Sequence, residues 1–243
     1  MKLIHAATIS TGLILVLGLA MVVPIYIHFP NQPRKQLTVI LLFSVTDTQN
    51  AAAWCGDLSA FLTEKNVKAM VFISGLVADL YPESVKVFPA FVDIGSQTYS
   101  YVNLTSIPDY LDQLEEVRKG KEAVDRAGNL DSRLFRAPYG STDANIYSLL
   151  NRSGIVADFS YDEHYNKYHN GQFIKFELKT YNGTEHSAEF FLSIKQTDEP
   201  VAIVFDDFTS VNEIKSLVTD LLGTVRFANA SEVTGLDLTV RER

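Results

Sequence analysis

Five short stretches of this 243-residue chain carry side chains able to do chemistry. GSQTYSYVNLT, from Gly95 to Thr105, has the frame of H-[ST]-x-x-H, which after a strand presents two imidazoles to a divalent cation. Gln97 and Tyr101 stand in the two ligand places. An amide is a poor zinc ligand, and a phenol must first lose a proton with an ordinary pKa of about 10. The other stretches are Ser44–Asp47, Arg136–Gly140, Asp158, and Asp206–Asp207. A guanidinium at a strand end inside a barrel is costly unless a carboxylate meets it. Arg136 is therefore expected to pair with Asp47, Asp158 or Asp206, with Asp207 also a candidate. Such a pair either braces the structure or provides an acid/base group, and both readings stay open.

The elements that must position these residues read as alternating strands and helices. LTVILLF (37–43) is a continuous apolar run suited to a strand buried on both faces. AAAWCGDLSAFLTEKN has helical spacing of Trp54, Leu58, Phe61 and Leu62, and VKAMVFIS reads as a second buried strand. FVDIGSQT is strand-like, and the segment from Ser106 to Gly128 is a helix with a Ser106 cap and Gly128 as its stop. RLFRAPYG is a short strand entering a turn, TDANIYSLLNRSG a helix, and IVADFS a strand. GQFIKFELKTYNG is extended, SAEFFLSIKQ a short helix, VAIVF a strand, VNEIKSLVTDLLG a helix, and TVRFANASEV a last strand and turn. This alternation predicts an α/β barrel or open sheet, with chemistry at the carboxyl ends of the strands.

Composition removes several classes. A formal charge of −8 with no Lys/Arg-rich run argues against a nucleic-acid partner. A single cysteine, Cys55, excludes an intrachain disulfide and a Cys-based zinc site, and in its helix it reads as a core residue. His164 and His169, with Asp162 and Glu163, either gather a metal or belong to a polar loop over the mouth. The uncharged stretch from Ala6 to Ile27 fits the roughly 20 residues that cross a bilayer core. A single-pass N-terminal membrane anchor is expected over residues 1–36, linker included, with the remaining 37–243 as one extracytoplasmic domain. Tyr99, Tyr101, Tyr139, Tyr161, Tyr165 and Tyr168 suit either a glycan-binding groove or ordinary packing of a barrel rim.

VKAMVFISG, DIGSQTYSYVNLTSI, LFRAPYGS and VRFANASEV, taken in order, resemble the polysaccharide deacetylases of the NodB type, carbohydrate esterase family 4. The likeness runs from about Leu37 to Val233. It implies a distorted (β/α)7 barrel and a divalent metal, often zinc, that activates a water against an acetyl carbonyl on a glycan. The resemblance also shows what is missing. The family's base falls on Ser44, its metal aspartate on Val45, its two metal histidines on Gln97 and Tyr101, and its late histidine on Asp206, or on Phe205 under a one-residue shift. Arg136, Pro138 and Tyr139 match, and Asp158 falls near the fourth motif.

The expected metal set is therefore empty and no cofactor is expected. Arg136, Asp47, Asp158 and Asp206 are the candidate catalytic residues, and Gln97, Tyr101, Tyr139 and Ser44 the candidate substrate contacts. The expected function is a membrane-anchored, deacetylase-like module of the cell envelope that binds a glycan or an unspecified protein partner. The alternative is a divergent carbohydrate deacetylase, cleaving carbon–nitrogen bonds of N-acetylated sugars through a rearranged carboxylate site.

Overall fold

The first apolar run folds as β1 (Thr38–Val45), buried at every position after Thr38, as a strand covered on both faces must be. The computed structural model describes residues 36–160, 164–194 and 199–241. After β1 come α1 (Ala51–Lys65), β2 (Ala69–Ile73), α2 (Gly75–Leu80), α3 (Glu83–Lys86), β3 (Val92–Ser96) and α4 (Tyr110–Gly128). β4 (Leu130–Ser132), β5 (Leu134–Phe135), α5 (Ala144–Arg152) and β6 (Ala157–Asp158) follow. Then come β7 (His164–His169), β8 (Gln172–Glu177), β9 (Lys179–Asn182), α6 (Ala188–Ser193) and β10 (Val201–Asp206). The chain closes with α7 (Val211–Leu221), β11 (Arg226–Phe227), α8 (Ala230–Thr234) and β12 (Thr239–Arg241).

Strands β9, β10, β1, β2, β3, β5 and β6 lie side by side in that order, all parallel. The antiparallel hairpin β7–β8 extends this wall from β6. The result is the expected distorted α/β barrel of the NodB kind. Two segments differ from expectation. The stretch expected as a polar loop over the mouth contains β7, whose Tyr165 stacks between Phe159 and Phe176, each with ring centroids 5.0 Å away. The extended run 171–183 breaks at buried Leu178 into β8 and β9, which stand at opposite ends of the sheet.

Side chains alternate across β1 with period two and divide its contacts between two layers. Val39, Leu41, Phe43 and Val45 pack with Trp54, Leu58, Ile214 and Leu217 of α1 and α7. Ile40 and Leu42 face the barrel interior with Met70, Phe72, Leu134 and Phe159. Register repeats this order in neighbouring strands, pairing Ile40 with Ala202, Leu42 with Val204 and Ser44 with Asp206. The interior thus runs from apolar at its base to polar at the carboxyl ends, where a site belongs.

The helix after β3 starts later than its sequence suggests. Asp109, not Ser106, caps α4, accepting from the amides of Leu111 and Asp112. Pro108 disfavours helical backbone at Ile107, the residue that a Ser106 cap would make the first of the helix, so the start moves past it. Gly120 of α4 lets the helix rest on the loop after β3. A Cβ there would overlap the Gln97 carbonyl oxygen and lie 2.9 Å from the Thr98 carbonyl carbon.

The membrane anchor expected over Ala6–Ile27 falls outside the described residues. Among the described residues no helix is long and apolar enough to cross a membrane. α4, at 19 residues, carries charged side chains along much of its length and packs its apolar face on the barrel. The single-pass topology and the membrane as a partner are corrected accordingly, and the structure supplies a barrel domain spanning Gln36–Arg243.

Candidate functional site

A cavity of about 420 Å³ opens at the carboxyl ends of the parallel strands. Ser44, Gln97, Tyr101, Arg136, Tyr139 and Asp206 line it, together with Thr46, Thr180, Asn182 and Phe208. The structure therefore brings together all four expected substrate contacts and two of the four expected catalytic residues.

Gln97 is buried at the base of the mouth and fixed at both ends of its amide. Its Oε1 accepts from Ser44 Oγ at 2.9 Å, and its Nε2 donates to the Phe72 carbonyl at 3.1 Å. Tyr101 lies above this pair. Burial raises its phenol above the ordinary value, a hydrogen bond with Ser44 offsetting part of the rise, so the phenol stays protonated at neutral pH. Tyr101 and Tyr139 both adopt left-handed backbone, φ 56° and 60°, and their rings lie 5.4 Å apart.

Arg136 enters the cavity from the end of β5, and its Nη1 donates to the Phe159 carbonyl. Across the mouth, exposed Asp206 ends β10. Its Oδ1 accepts from the amides of Phe208 (3.1 Å) and Thr209 (3.2 Å) and from Thr209 Oγ1 (3.2 Å). Those bonds leave the carboxylate in the mouth with a fixed orientation.

Asp158 and Asp47 do not line this cavity. Asp158 pairs with Phe135 on the sheet face away from Leu134 and Ala157, and it is fully buried. Burial raises its carboxyl to about 6, opposed by hydrogen bonds from Ser160 and by the Arg136 charge. Its Oδ1 accepts from the Ser160 hydroxyl, whose oxygen accepts from the Ala137 amide at 2.8 Å, so Asp158 braces the turn that carries Arg136 and Tyr139. Asp47 turns toward α1 instead, accepting from the Gln49 amide at 2.8 Å and from Asn50 Nδ2 at 3.1 Å. Asp207, one residue past Asp206, clamps the end of β1 by accepting from the amides of Thr46 and Asp47, both at 2.6 Å.

A divalent metal does not fit these residues. The places of its histidines hold an amide already spent on two hydrogen bonds and a protonated phenol. Val45, in the place of its aspartate, faces the apolar layer under α1 and not the mouth. Among the described residues no group of three or more His, Cys, Asp or Glu side chains is arranged to hold a metal. His164 and His169 lie on β7, a hairpin strand, and form no such group with other described residues.

Thr180, Asn182 and Phe208 are lining residues that the sequence reading missed. The first two belong to β9, whose sequence runs on from β8 without a break in its extended pattern. Phe208 follows Asp206–Asp207, and an aromatic residue just past the last long apolar strand was the signal available.

The model of the family described as polysaccharide deacetylase matches residues 31–157. This chain belongs to the polysaccharide deacetylase family. A comparison with curated proteins finds no match. Among solved structures, the barrel is similar to a CE4 family pseudoenzyme from Bacillus anthracis at 15% identity and TM-score 0.61, covering 83% of this chain and 66% of that one. A mutant of that protein is described as having restored enzymatic activity. The peptidoglycan deacetylase PdaC of Bacillus subtilis is similar at 14% identity and TM-score 0.61, covering 84% and 92% of the two chains. A family 4 carbohydrate esterase from Streptomyces lividans, in complex with acetate, is similar at 16% identity and TM-score 0.61, covering 84% and 98%.

These findings correct the expectation of a membrane-anchored binding module. The anchor has no counterpart among the described residues. The deacetylase family member keeps a cleft with a carboxylate, a guanidinium and a phenol, which fits the divergent-deacetylase alternative better.

Proposed function

We propose that this polysaccharide deacetylase family member is a divergent carbohydrate deacetylase, hydrolysing the carbon–nitrogen bond of N-acetylated sugars through a carboxylate site. The observation that carries the reading is the convergence of Asp206, Arg136 and Tyr101 on one cavity at the carboxyl ends of the barrel strands. Asp206, held by three hydrogen bonds to one oxygen, takes a proton from a water as that water attacks the acetyl carbonyl. Arg136 offers a fixed positive charge to the oxygen that becomes anionic, the kind of pre-oriented stabilisation on which acyl transfer depends. Tyr101, kept protonated by its burial, has a proton to give to the departing amine. The phenolate so formed recovers its proton from Asp206, which closes the cycle.

A second reading is a pseudoenzyme that holds the sugar without turning it over. The fixed Gln97 amide favours it, filling a metal ligand's place with a group that does no proton transfer. Acetate release from N-acetylchitopentaose by chelator-treated protein, wild type against Asp206→Asn, separates the two. Release that survives chelation and is lost in the variant supports the carboxylate site. Binding without release assigns the pseudoenzyme role, and release that requires a metal overturns both.

A further inference from the structure

Strand β8 ends the sheet, and among the described residues no strand lies on its outer side. Such an edge presents a row of unpaired N–H and C=O groups, which folded proteins commonly blunt with a proline, a bulge or a charge. QFIKFE has no proline, and its pairing with β7 runs without a bulge from His164–Glu177 to His169–Gln172. Its charges, Lys175 and Glu177, are of opposite sign, and its Ile174 is 39% exposed. The edge is also held firmly. Phe176 stacks on Tyr165 at 5.0 Å on one face, and Phe173 stacks on Tyr147 at 5.3 Å on the other.

Turn geometry decides which backbone groups face outward. Asn170 and Gly171 both have positive φ, 49° and 85°, as in the two-residue turn of a tight hairpin, which makes His169–Gln172 a hydrogen-bonded pair. Alternation along the antiparallel ladder then turns the N–H and C=O of Gln172, Ile174 and Phe176 toward β7, and those of Phe173, Lys175 and Glu177 outward. An antiparallel partner must meet this edge with its own outward-facing residues.

We propose that the partner is β8 of a second copy of this chain, paired antiparallel about a two-fold axis that passes between the two Ile174 side chains. In this register Phe173 lies opposite the partner's Lys175, Gln172 opposite the partner's Phe176, and Gly171 opposite the partner's Glu177. The exposed isoleucines close on each other, and each ammonium comes beside an aromatic ring. Sliding the pair by one step of the ladder sets Lys175 against the partner's Lys175, a destabilising like-charge contact. A further slide the same way leaves only the end of β8 in contact, because the chain leaves the strand at buried Leu178. The contact uses the same strand of both copies, so it closes at two subunits. Because β8 runs parallel to the barrel strands through β7, the axis turns the copies end for end and their mouths open in opposite directions.

Disulfide trapping in the full chain tests the pairing. The native Cys55 is buried, its thiol pushed up to about 12, and it takes no part in exchange. Ile174→Cys sets two thiols at a non-hydrogen-bonded pair, with Cα atoms about 4.5 Å apart, a separation that a disulfide spans. Mild oxidation should convert Ile174→Cys to a linked dimer and leave Lys175→Cys largely unlinked. Sedimentation velocity should show a wild-type dimer that Ile174→Glu weakens about tenfold or more, equivalent to about 1.4 kcal/mol. Glu at this position faces Lys167 across the hairpin, so the variant should melt as wild type does. A monomeric wild type, or a dimer that Ile174→Glu leaves within twofold of its wild-type strength, overturns the proposal. So does trapping through Lys175→Cys that equals or exceeds trapping through Ile174→Cys.

Discussion

Replacing Asp158 by Asn should change how the stability of this protein depends on pH, by an amount the structure fixes. Asp158 is fully buried, and burial lifts its carboxyl from 3.8 to about 6 against the pull of the Ser160 hydrogen bonds and the Arg136 charge. The folded state therefore holds the proton more tightly than the unfolded chain does. Stability from this group is present in full below about pH 3.8 and is lost as pH rises through 6. The displacement is about two pH units, each equivalent to about 1.36 kcal/mol, so roughly 2–3 kcal/mol disappears between pH 4 and pH 7.5. Asn is neutral throughout and has no such loss. Urea unfolding of both proteins across that range should show the stability of Asp158→Asn, measured relative to wild type, rising by about 2–3 kcal/mol. Other buried carboxyls, Asp93, Asp125 and Asp207, titrate in both proteins and cancel in the difference. Parallel curves would mean that the ionised carboxylate is fully compensated inside the fold and that burial does not penalise it.

Gly120→Ala should destabilise the domain by about 1–3 kcal/mol in chemical unfolding, because the new methyl meets the backbone of Gln97 and Thr98 and no flexible side chain can yield. Asp207→Ala removes the acceptor of two buried-edge amides, Thr46 and Asp47, and should cost about 1–3 kcal/mol, with amide exchange at those two positions rising first. Val45→Asp restores the family's metal aspartate in sequence but places a carboxylate in the apolar layer beside α1. It should destabilise by more than about 3 kcal/mol and confer no zinc affinity, even combined with Gln97→His and Tyr101→His, as read by melting temperature and zinc titration.

The parallel barrel was legible in the sequence because its strands are buried on both faces and read as unbroken apolar runs, LTVILLF and VAIVF above all. The hairpin β7–β8 was not, since HYNKYH and QFIKFE are half-exposed and rich in polar side chains, a pattern shared with loops. Position at strand ends found Ser44, Gln97, Tyr101, Arg136, Tyr139 and Asp206. It could not separate Asp206 from Asp158, because the face a residue takes at a strand end depends on register, and Asp158 falls one residue out of phase with the interior row of Ala157 and Phe159. Asp47 and Asp207 were equally opaque. Both serve backbone amides in turns, a use that depends on local geometry and leaves no periodic trace.

Acetate release from N-acetylchitopentaose, followed in one preparation before and after exhaustive chelation and with its zinc content determined, bears most directly on the metal-free carboxylate site. Zinc should be substoichiometric, and chelation should leave the rate unchanged. One zinc per chain, with release abolished by its removal and restored by its return, would contradict a metal-free site.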